Sequence, residues 1–260
     1  MTTALITGAS SGIGAVFAEQ LAAQGHDLVL VARSQEKLQA IADQLISTYG
    51  INATVIVQDL LAEGATANIF SQLEVQGIDL DLLVNNAGFG TYGELADGEL
   101  TTYLNMIQLN ISVLVDLTYR VLQGMKVRRS GSILNISSTA AFQPIPYFAV
   151  YAATKSFVLS FSEALWYECQ PYGVKVLGVC PGPTETQFFK TAAFPDAMES
   201  PPGQSLASPA EVVREALKAL EQGQSNVVTG GLTNQILVNA GRFIPREMLT
   251  KAVGDMFKVN

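Results

Sequence analysis

The sequence predicts a single-domain α/β protein, built on a doubly wound parallel sheet of about seven strands with helices on both faces. Short β-branched runs alternate with longer helical patterns along all 260 residues, and no linker divides the chain. Several strand-like runs are apolar without alternation, which is typical of strands that are covered on both faces. Strand–helix–strand repetition implies parallel pairing through right-handed crossovers. We therefore expect one domain spanning residues 1–260.

Seven segments have the character of strands. In chain order they read TALIT, directly before a glycine-rich turn, then DLVLVA (27–32), ATVIV (53–57), LDLLVNN (80–86), GSILNIS (131–137), VKVLGVC (174–180) and NVVT (226–229). Helical patterns such as GAVFAEQLAAQG and SQEKLQAIADQLISTYG lie between them. An irregular stretch, rich in Pro, Ser, Ala and Gly, falls within 188–208. Such a long loop is either disordered or a lid over a site, and we interpret it as a substrate lid.

The composition excludes several classes of function. The net charge of −8 argues against general binding to nucleic acid or to anionic lipid, because both need a basic patch. With two cysteines and one histidine, the sequence predicts no metal site, no disulfide framework and no mechanism that requires histidine. No apolar run reaches about 18 residues and no signal-peptide pattern opens the chain, so we predict no membrane span and a cytoplasmic location.

The first strand-like run leads directly into TGASSGIGA, residues 7–15, and then into a helical pattern. A glycine-rich turn at the carboxyl end of a parallel strand lets the backbone approach a pyrophosphate, and the following helix offers free N–H groups. Gly8, Gly12 and Gly14 have the spacing G-x3-G-x-G, not the commoner G-x-G-x-x-G. A tight turn with close helix packing would explain one or two of these glycines, but three favour a dinucleotide site.

The end of the second strand bears on the choice between NAD and NADP. A carboxylate about 20 positions beyond the glycines would bind the ribose 2′-hydroxyl of NAD. Here the run ends in Ala32 and is followed by Arg33, so that a guanidinium is offered to a 2′-phosphate. The sequence favours NADP (NADPH) as cofactor over NAD. The alternative interpretation is a solvated arginine at the start of a helix.

One lysine stands in an otherwise uncharged stretch. Lys155 is the only charged residue between Arg129 and Glu163. A lysine is seldom buried unless it is paired or used. It follows Tyr151 by four residues, and positions i and i+4 lie on the same face of a helix. Because a nearby ammonium favours the tyrosinate, we expect the pKa of Tyr151 to be lowered, which suits a general acid or base.

These motifs, taken in order, resemble those of the short-chain dehydrogenase/reductase family over nearly the whole chain. TGASSGIG is similar to the cofactor motif of that family, and NNAG (85–88) to its motif after the fourth strand. YAATK (151–155) matches its Y-x-x-x-K signature, and PGPTET (181–186) matches the loop that closes on the nicotinamide. The resemblance implies a Rossmann-like oxidoreductase with the catalytic residues Asn110, Ser138, Tyr151 and Lys155.

The resemblance also implies what these residues do. Ser138 would hydrogen-bond the substrate oxygen, Asn110 would hold a water that relays protons, and Lys155 would also bind the nicotinamide ribose. Some NADP-dependent members carry a second basic residue in the glycine turn, where this chain has Ser11. The cofactor-binding residues expected from all the motifs are Gly8, Ser10, Ser11, Gly12, Ile13, Gly14, Arg33, Asp59, Leu60, Asn86, Ala87, Gly88, Tyr151, Lys155, Pro181, Gly182, Thr184 and Thr186.

Aromatic residues flank the motifs and predict a pocket for an apolar or aromatic carbonyl compound or alcohol. The candidates, which could instead pack the core or a subunit contact, are Phe89, Tyr92, Phe142, Tyr147, Phe188 and Phe189. Leu249, Val253 and Met256 fall on one helical face, which could be a subunit contact, a lid or an edge cover. A weak membrane-surface role is a further alternative, with little basic charge behind it. Family members commonly form dimers or tetramers, so the resemblance implies a homodimer or homotetramer.

The leading hypothesis is an NADP-dependent carbonyl reductase or alcohol dehydrogenase. The alternative within the family is the same chemistry on a 3-oxoacyl thioester. A thioester carrier would need a basic docking patch, and Lys126, Arg128 and Arg129 form the only compact one in the sequence. The alternative from another class is a non-catalytic, NADP-binding regulator, in which we would expect a damaged Ser–Tyr–Lys set beside an intact glycine turn.

Overall fold

The computed structural model describes residues 2–195 and 206–258. Within these ranges, seven parallel strands form one sheet in the order β3-β2-β1-β4-β5-β6-β7. The order reverses between β1 and β4, and ligands of doubly wound sheets bind in the crevice at that point. The strands are β1 (Thr3–Thr7), β2 (Asp27–Ala32), β3 (Ala53–Val57), β4 (Leu82–Asn85), β5 (Gly131–Ile136), β6 (Val174–Pro181) and β7 (Asn226–Thr229). This topology confirms the predicted fold class.

Helices flank the sheet on both faces. A π-helical turn, Gln108–Val113, lies between the fourth and the fifth of them. The helices are α1 (Gly12–Ala23), α2 (Gln35–Tyr49), α3 (Ala65–Val75), α4 (Leu100–Ile107), α5 (Leu114–Arg128), α6 (Ala149–Cys169), α7 (Phe188–Thr191), α8 (Pro209–Glu221), α9 (Leu232–Ala240) and α10 (Arg246–Phe257).

Each strand buries side chains on both faces of the sheet, which explains the unbroken apolar runs. On β1, Ala4 and Ile6 belong to the same core as Phe17 of α1. Leu5, between them, belongs to the opposite core with Leu117 of α5. All five side chains are essentially inaccessible to solvent. Two cores of this kind, one on each face, hold the carboxyl ends of the strands in fixed positions.

The fourth strand is shorter than its sequence pattern predicts. The pattern covers 80–86, whereas β4 covers Leu82–Asn85. Asn86 lies outside the strand, and its side chain hydrogen-bonds the glycine-rich turn after β1. Its Nδ2 donates to the Thr7 carbonyl at 2.9 Å and to the Gly8 carbonyl at 3.3 Å. A polar side chain therefore ends this strand and fastens it to the glycine-rich turn.

A third, largely aromatic cluster lies beyond the carboxyl ends of the strands. It joins α4, α6 and α10 through Tyr103, Phe148, Tyr151 and Val253, together with Phe194. Both cysteines are free and buried. Among residues 2–195 and 206–258 no helix is long and apolar enough to cross a membrane. Those same residues contain no cluster of three side chains suited to a metal ion.

The start of α1 packs against the turn that precedes it. A Cβ on Gly14 would lie 2.4 Å from the Gly8 carbonyl oxygen and 2.5 Å from Asn86 Nδ2. Neither atom can move away easily, because the Gly8 oxygen is part of the backbone and Asn86 Nδ2 is hydrogen-bonded to the turn. The absence of a side chain at Gly14 is therefore a condition for this packing.

We expect Gly14→Ala to destabilise the fold by about 1–3 kcal/mol, because a methyl group must be accommodated against fixed backbone. Gly124→Ala is the matched control, since Gly124 also lies inside a helix. There the added methyl would meet only the end of the Arg128 side chain. Better helix propensity should leave that variant within about 1 kcal/mol of the wild type. Urea unfolding would measure both, and equal midpoints would contradict the packing argument.

Candidate active site

A cavity of about 1450 Å³ opens at the carboxyl ends of the strands. A pocket for one small molecule usually measures about 300–1,000 Å³. This cavity is larger, so it has room for a dinucleotide and a substrate side by side. Its lining begins at the glycine turn and the end of β2, passes the ends of β4 and β5, and reaches α7 and α10.

The glycine turn forms one end of the cavity. Gly8 and Gly12 have φ angles of +67° and +56°, the left-handed region that favours glycine. The Ser11 side chain makes no capping hydrogen bond to α1, so N–H groups of the first turn are available to an anion. Ser10 and Ile13 line the cavity together with these three residues. The turn therefore has the form of a phosphate cradle.

Gly14 departs from its predicted role. It was expected to contact the cofactor with the other two glycines, but it is not among the residues that line the cavity in the described chain. It packs against the Gly8 carbonyl instead. Two glycines thus shape the cradle, and the third allows the helix to approach it.

The end of β2 supplies positive charge to the same part of the cavity. Arg33, a predicted cofactor-binding residue, lines it, and so does Lys37 in the first turn of α2. Lys37 was not predicted. Asp59 and Leu60 lie beside them. The Asp59 carboxylate accepts from the Leu61 backbone N–H at 3.0 Å, which fixes this corner.

The NNAG segment is fastened to β1 by a buried threonine. Thr7 Oγ1 lies 3.0 Å from the backbone nitrogens of both Asn86 and Ala87, which donate to it. Asn86, Ala87 and Gly88, which are predicted to bind the cofactor, line the cavity. A Cβ on Gly88 would lie 2.9 Å from Asn110 Oδ1. The segment can therefore pass between the glycine turn and Asn110 only without a side chain at Gly88.

Asn110 lies in the π-helical turn and is almost fully buried. Such turns often occur at functional sites. Its Oδ1 accepts from the Phe89 N–H at 3.1 Å, and its Nδ2 donates to the Phe89 carbonyl at 2.9 Å. Nδ2 also donates to Thr154 Oγ1 at 3.1 Å. The side chain thus positions the segment after NNAG against α6, and the predicted water relay through Asn110 stays a prediction.

Lys155 is buried, and its ammonium donates to the Ile136 carbonyl at 2.8 Å. The neighbouring Ser137 hydroxyl donates to the Lys155 carbonyl at 2.7 Å, which ties α6 to the end of β5. Burial lowers the pKa of Lys155 to about 8, with a smaller opposing effect of Cys180. A lysine with such a pKa is charged at neutral pH and gives up its proton more readily than an exposed lysine.

The expected lowering of the Tyr151 pKa is wrong for this structure. Burial raises the pKa of Tyr151 above its ordinary value, and a hydrogen bond with Ser138 opposes this only in part. The Lys155 ammonium lies 5.6 Å from the centroid of the Tyr151 ring and is engaged with the Ile136 carbonyl. Desolvation therefore outweighs the charge, and Tyr151 holds its proton at neutral pH.

Aromatic rings hold Tyr151 in place. Phe148 stacks on it with 4.3 Å between ring centroids, and Phe188 lies 5.2 Å away on a tilted ring. A Cβ on Gly90 would lie 2.6 Å from the Phe148 ring, so this pair also depends on a glycine. Phe148 lines the cavity but was not predicted. The sequence could have indicated this role, because Phe148 lies three residues before Tyr151 at the start of the same helix.

The predicted substrate residues divide into two groups. Phe89, Phe188 and Phe189 line the cavity. The other three, Tyr92, Phe142 and Tyr147, are not among its described lining residues. Tyr147 lines a separate depression of about 320 Å³, and the Tyr92 hydroxyl donates to the Phe257 carbonyl. Tyr147 also has a φ angle of +63°, which an aromatic residue rarely adopts.

The loop after β6 closes the cavity beside Tyr151. The predicted cofactor-binding residues here all line it: Pro181, Gly182, Thr184 and Thr186. Asn234 of α9 was not predicted but is buried there. Its Nδ2 donates to the Thr229 and Gly230 carbonyls, both at 3.0 Å. A Cβ on Gly182 would nearly coincide with this amide, so Asn234 fixes the loop from behind.

The predicted lid, 188–208, is described only in part. Residues 188–195 contain α7 and contribute Phe188, Phe189 and Phe194 to the cavity, whereas 196–205 lie outside the described residues. A bridge between Thr184 and Ala207 returns the chain to the sheet. Of the roles left open for the C-terminal helix, a lid is the one this structure supports, since Leu249, Val253 and Met256 line the cavity.

The lining therefore brings together a phosphate cradle, two cations, a Ser–Tyr–Lys set and an aromatic end. This combination fits a nicotinamide dinucleotide with its reactive ring beside Tyr151, and it suits proton transfer coupled to hydride transfer.

Comparison with known proteins agrees with this geometry. Residues 2–195 match the short chain dehydrogenase family. The chain is 32% identical over 259 residues to 17-beta-hydroxysteroid dehydrogenase type 3 of Mus musculus, covering 98% of this chain and 80% of that protein. It is 37% identical over 194 residues to the very-long-chain 3-oxoacyl-CoA reductase of Anas platyrhynchos, covering 72% of this chain and 61% of that protein.

A solved structure extends the agreement to three dimensions. A short-chain dehydrogenase from Sphingobium yanoikuyae in complex with NADPH superimposes with a TM-score of 0.83 at 31% identity, covering 96% of this chain and 95% of that one. Sequence match, strand order and fold all point the same way, and the chain belongs to the short chain dehydrogenase family of oxidoreductases.

Proposed function

We propose that this oxidoreductase reduces an apolar carbonyl compound with NADPH, and that Tyr151 is its general acid. The observation that carries the proposal is the position of Tyr151. Tyr151 and Ser138 both line the cavity, close enough for Ser138 to lower the pKa of Tyr151, and the Tyr151 ring lies beside Phe188 of the aromatic end. A tyrosine that keeps its proton at neutral pH is suited to donate that proton to a carbonyl oxygen.

In the proposed reaction, a bound nicotinamide would supply the hydride. The Ser138 hydroxyl hydrogen-bonds the substrate oxygen and holds it near Tyr151. Tyr151 donates its phenolic proton to that oxygen as negative charge develops there. The Lys155 ammonium stabilises the tyrosinate left behind, and the Ile136 carbonyl keeps that ammonium in place. In the reverse direction the same tyrosine accepts the proton of an alcohol.

The cradle and the two cations support NADPH as the cofactor. The first turn of α1 and the glycine turn would hold the pyrophosphate. Arg33 and Lys37 would hold a 2′-phosphate, since the lining residues contributed by the end of β2 and by α2 are Ala32, Arg33, Ser34 and Lys37. A solved relative at 31% identity is in complex with NADPH. A non-catalytic regulator is disfavoured because Ser138, Tyr151 and Lys155 are all present and grouped.

The substrate in this proposal is a large apolar ketone of the hydroxysteroid type. The aromatic end of the cavity is lined by Phe89, Phe148, Phe188 and Phe189 together with apolar residues of α10. One relative is by name a hydroxysteroid dehydrogenase. The second candidate is a 3-oxoacyl thioester, favoured by the relative that is by name a 3-oxoacyl-CoA reductase.

The basic patch expected for a thioester carrier is badly placed for this role. Arg128 and Arg129 precede β5, whose six residues put them about 20 Å from its carboxyl end. Arg128 is engaged with Asp79 and with the Leu80 carbonyl, and Arg129 donates to the Pro171 carbonyl. The Lys126 ammonium lies over the Tyr172 ring. These three side chains therefore make contacts near the amino end of β5, away from the cavity at the carboxyl ends of the strands.

We also propose a homodimer or homotetramer. Apolar side chains on α4 and α6 are exposed in the single chain, among them Leu104, Ile107 and Phe157. Their burial between subunits would account for the low content of charged residues, 15%.

Tyr151→Phe should lower kcat by about a hundredfold to ten-thousandfold, because the proton donor is removed while the ring remains. NADPH binding, followed by nicotinamide fluorescence, should stay nearly unchanged. Tyr103→Phe is the matched control, since Tyr103 is buried and its hydroxyl donates to the Glu94 carbonyl at 3.4 Å. Normal turnover in Tyr151→Phe would rule out the proposed role.

Arg33→Ala and Lys37→Ala should each weaken NADPH binding about fivefold to tenfold and leave NADH binding nearly unchanged, because only NADPH carries the 2′-phosphate. Lys175→Ala removes the same charge near the start of β6, away from the described lining of the cavity, and should affect neither cofactor. Equal losses for both cofactors would show that these side chains do not select the phosphate.

The kcat/KM for reduction of a ketone that does not itself titrate should fall as the pH rises through about 8. The Lys155 pKa lies there, so its charge is present below that pH and lost above it. Tyr151, with its raised pKa, stays protonated over the same range. Lys155→Met should be slow at every pH and show no break near 8. A break that persists in Lys155→Met would assign it to another group.

A further inference from the structure

The helix α9 exposes large apolar side chains on the face that points away from the domain. Asn234 and Val238, four residues apart, are buried against the domain. Leu232 and Ile236 lie roughly opposite them around the helix, and they are 75% and 66% exposed. The outward face of a surface helix is normally polar. An apolar outward face of this kind marks an interaction surface.

This apolar surface continues onto the rim of the substrate cavity. Leu237, Ile244 and Met256 line the cavity and are also exposed, so they must lie at its opening. Beyond the rim, Phe243 is 89% exposed and Met248 is exposed as well. We call the outward residues Leu232, Ile236, Phe243 and Met248 the apolar patch. It adjoins the entrance through which a substrate would reach the aromatic end of the cavity.

The charge of this region is opposite to that of the whole chain. The charged residues between Leu232 and Lys258 are Arg242, Arg246, Lys251, Lys258, Glu247 and Asp255. Four basic and two acidic residues give this segment a charge of +2, whereas the whole chain carries −8. Arg246, Lys251 and Lys258 are exposed, and so are Glu247 and Asp255. Basic residues that accompany exposed apolar side chains complement a surface that is both apolar and negatively charged.

We propose that the apolar patch docks on the surface of a membrane that contains anionic lipid, so that the rim of the cavity faces the lipid. The patch would enter the interface while the neighbouring basic residues meet the headgroups. An apolar substrate dissolved in the membrane could then enter the cavity without crossing water. The docking stands on the patch itself, and only the delivery of substrate rests on the proposed function.

A second copy of the chain is the less favoured occupant. A subunit seated on the apolar patch would lie across the entrance of the cavity. Apolar residues on α4 and α6, among them Leu104, Ile107 and Phe157, offer a separate surface for assembly. The net positive charge of this segment favours anionic lipid.

The test is co-sedimentation of the full chain with vesicles of phosphatidylcholine alone and of phosphatidylcholine with phosphatidylglycerol. We expect binding to the mixed vesicles and weaker binding to the neutral ones. The double variant Ile236→Ser/Phe243→Ser should lose at least about tenfold in vesicle affinity, since burying one large apolar side chain accounts for about that factor. Lys251→Glu should lose about fivefold or more on mixed vesicles only.

The control variant is Val127→Ser, because Val127 is equally exposed but lies near the end of α5. It should bind vesicles like the wild type. Reduction of a water-soluble ketone by the double variant should be unchanged, which separates loss of docking from misfolding. Vesicle binding without any reductase activity would sink the proposed function and leave the docking standing.

Two results would overturn the docking. The first is an active wild type that binds neither kind of vesicle. The second is a wild type that fails to bind vesicles and forms a dimer that Ile236→Ser/Phe243→Ser breaks, as measured by sedimentation velocity. That second result would assign the patch to contact between subunits.

Discussion

The burial of the Lys155 ammonium is the constraint on which the rest of the site depends. A buried charge is costly unless it is hydrogen-bonded, and the Lys155 ammonium donates to the Ile136 carbonyl at the end of β5. The bond and the Ser137 contact hold α6 to the sheet, and α6 in turn carries Tyr151. The same desolvation acts on both residues, drawing lysine towards its neutral form and keeping tyrosine protonated. Burial therefore explains both how α6 is held to the sheet and why the pKa values of Lys155 and Tyr151 are shifted.

Much of the fold could be predicted from the sequence, because strands covered on both faces must read as continuous apolar runs. The patterns at 27–32, 53–57 and 226–229 coincide with β2, β3 and β7. The errors have local causes. The fourth strand stops early because Asn86 turns back to the first loop, a contact that no periodicity reveals. The residues of the π-helical turn at Gln108–Val113 are also common in α-helices, so the sequence gives no sign of the extra residue per turn. The turn is recognised only in the folded structure, between α4 and α5.

The chemistry of the site was easier to predict than its geometry. Motif residues announce themselves by type and spacing, whereas Phe148 and Asn234 act through contacts that only the folded chain creates. The sign of the Tyr151 pKa shift was wrong because sequence shows a neighbouring charge and not the depth of burial. Gly14 was misplaced for a related reason, since a glycine that touches a ligand and one that lets a helix approach look alike in a motif.

The measurement that tests the central claim most directly is an ultraviolet pH titration of tyrosinate absorbance in the protein without added cofactor, comparing the wild type with Tyr151→Phe. If burial keeps Tyr151 protonated, the two proteins should give the same tyrosinate signal until well above the ordinary tyrosine pKa of about 10. A tyrosinate band that appears in the wild type below about pH 9, and is missing from Tyr151→Phe, would contradict the account. It would show that the Lys155 charge, and not desolvation, governs the proton donor.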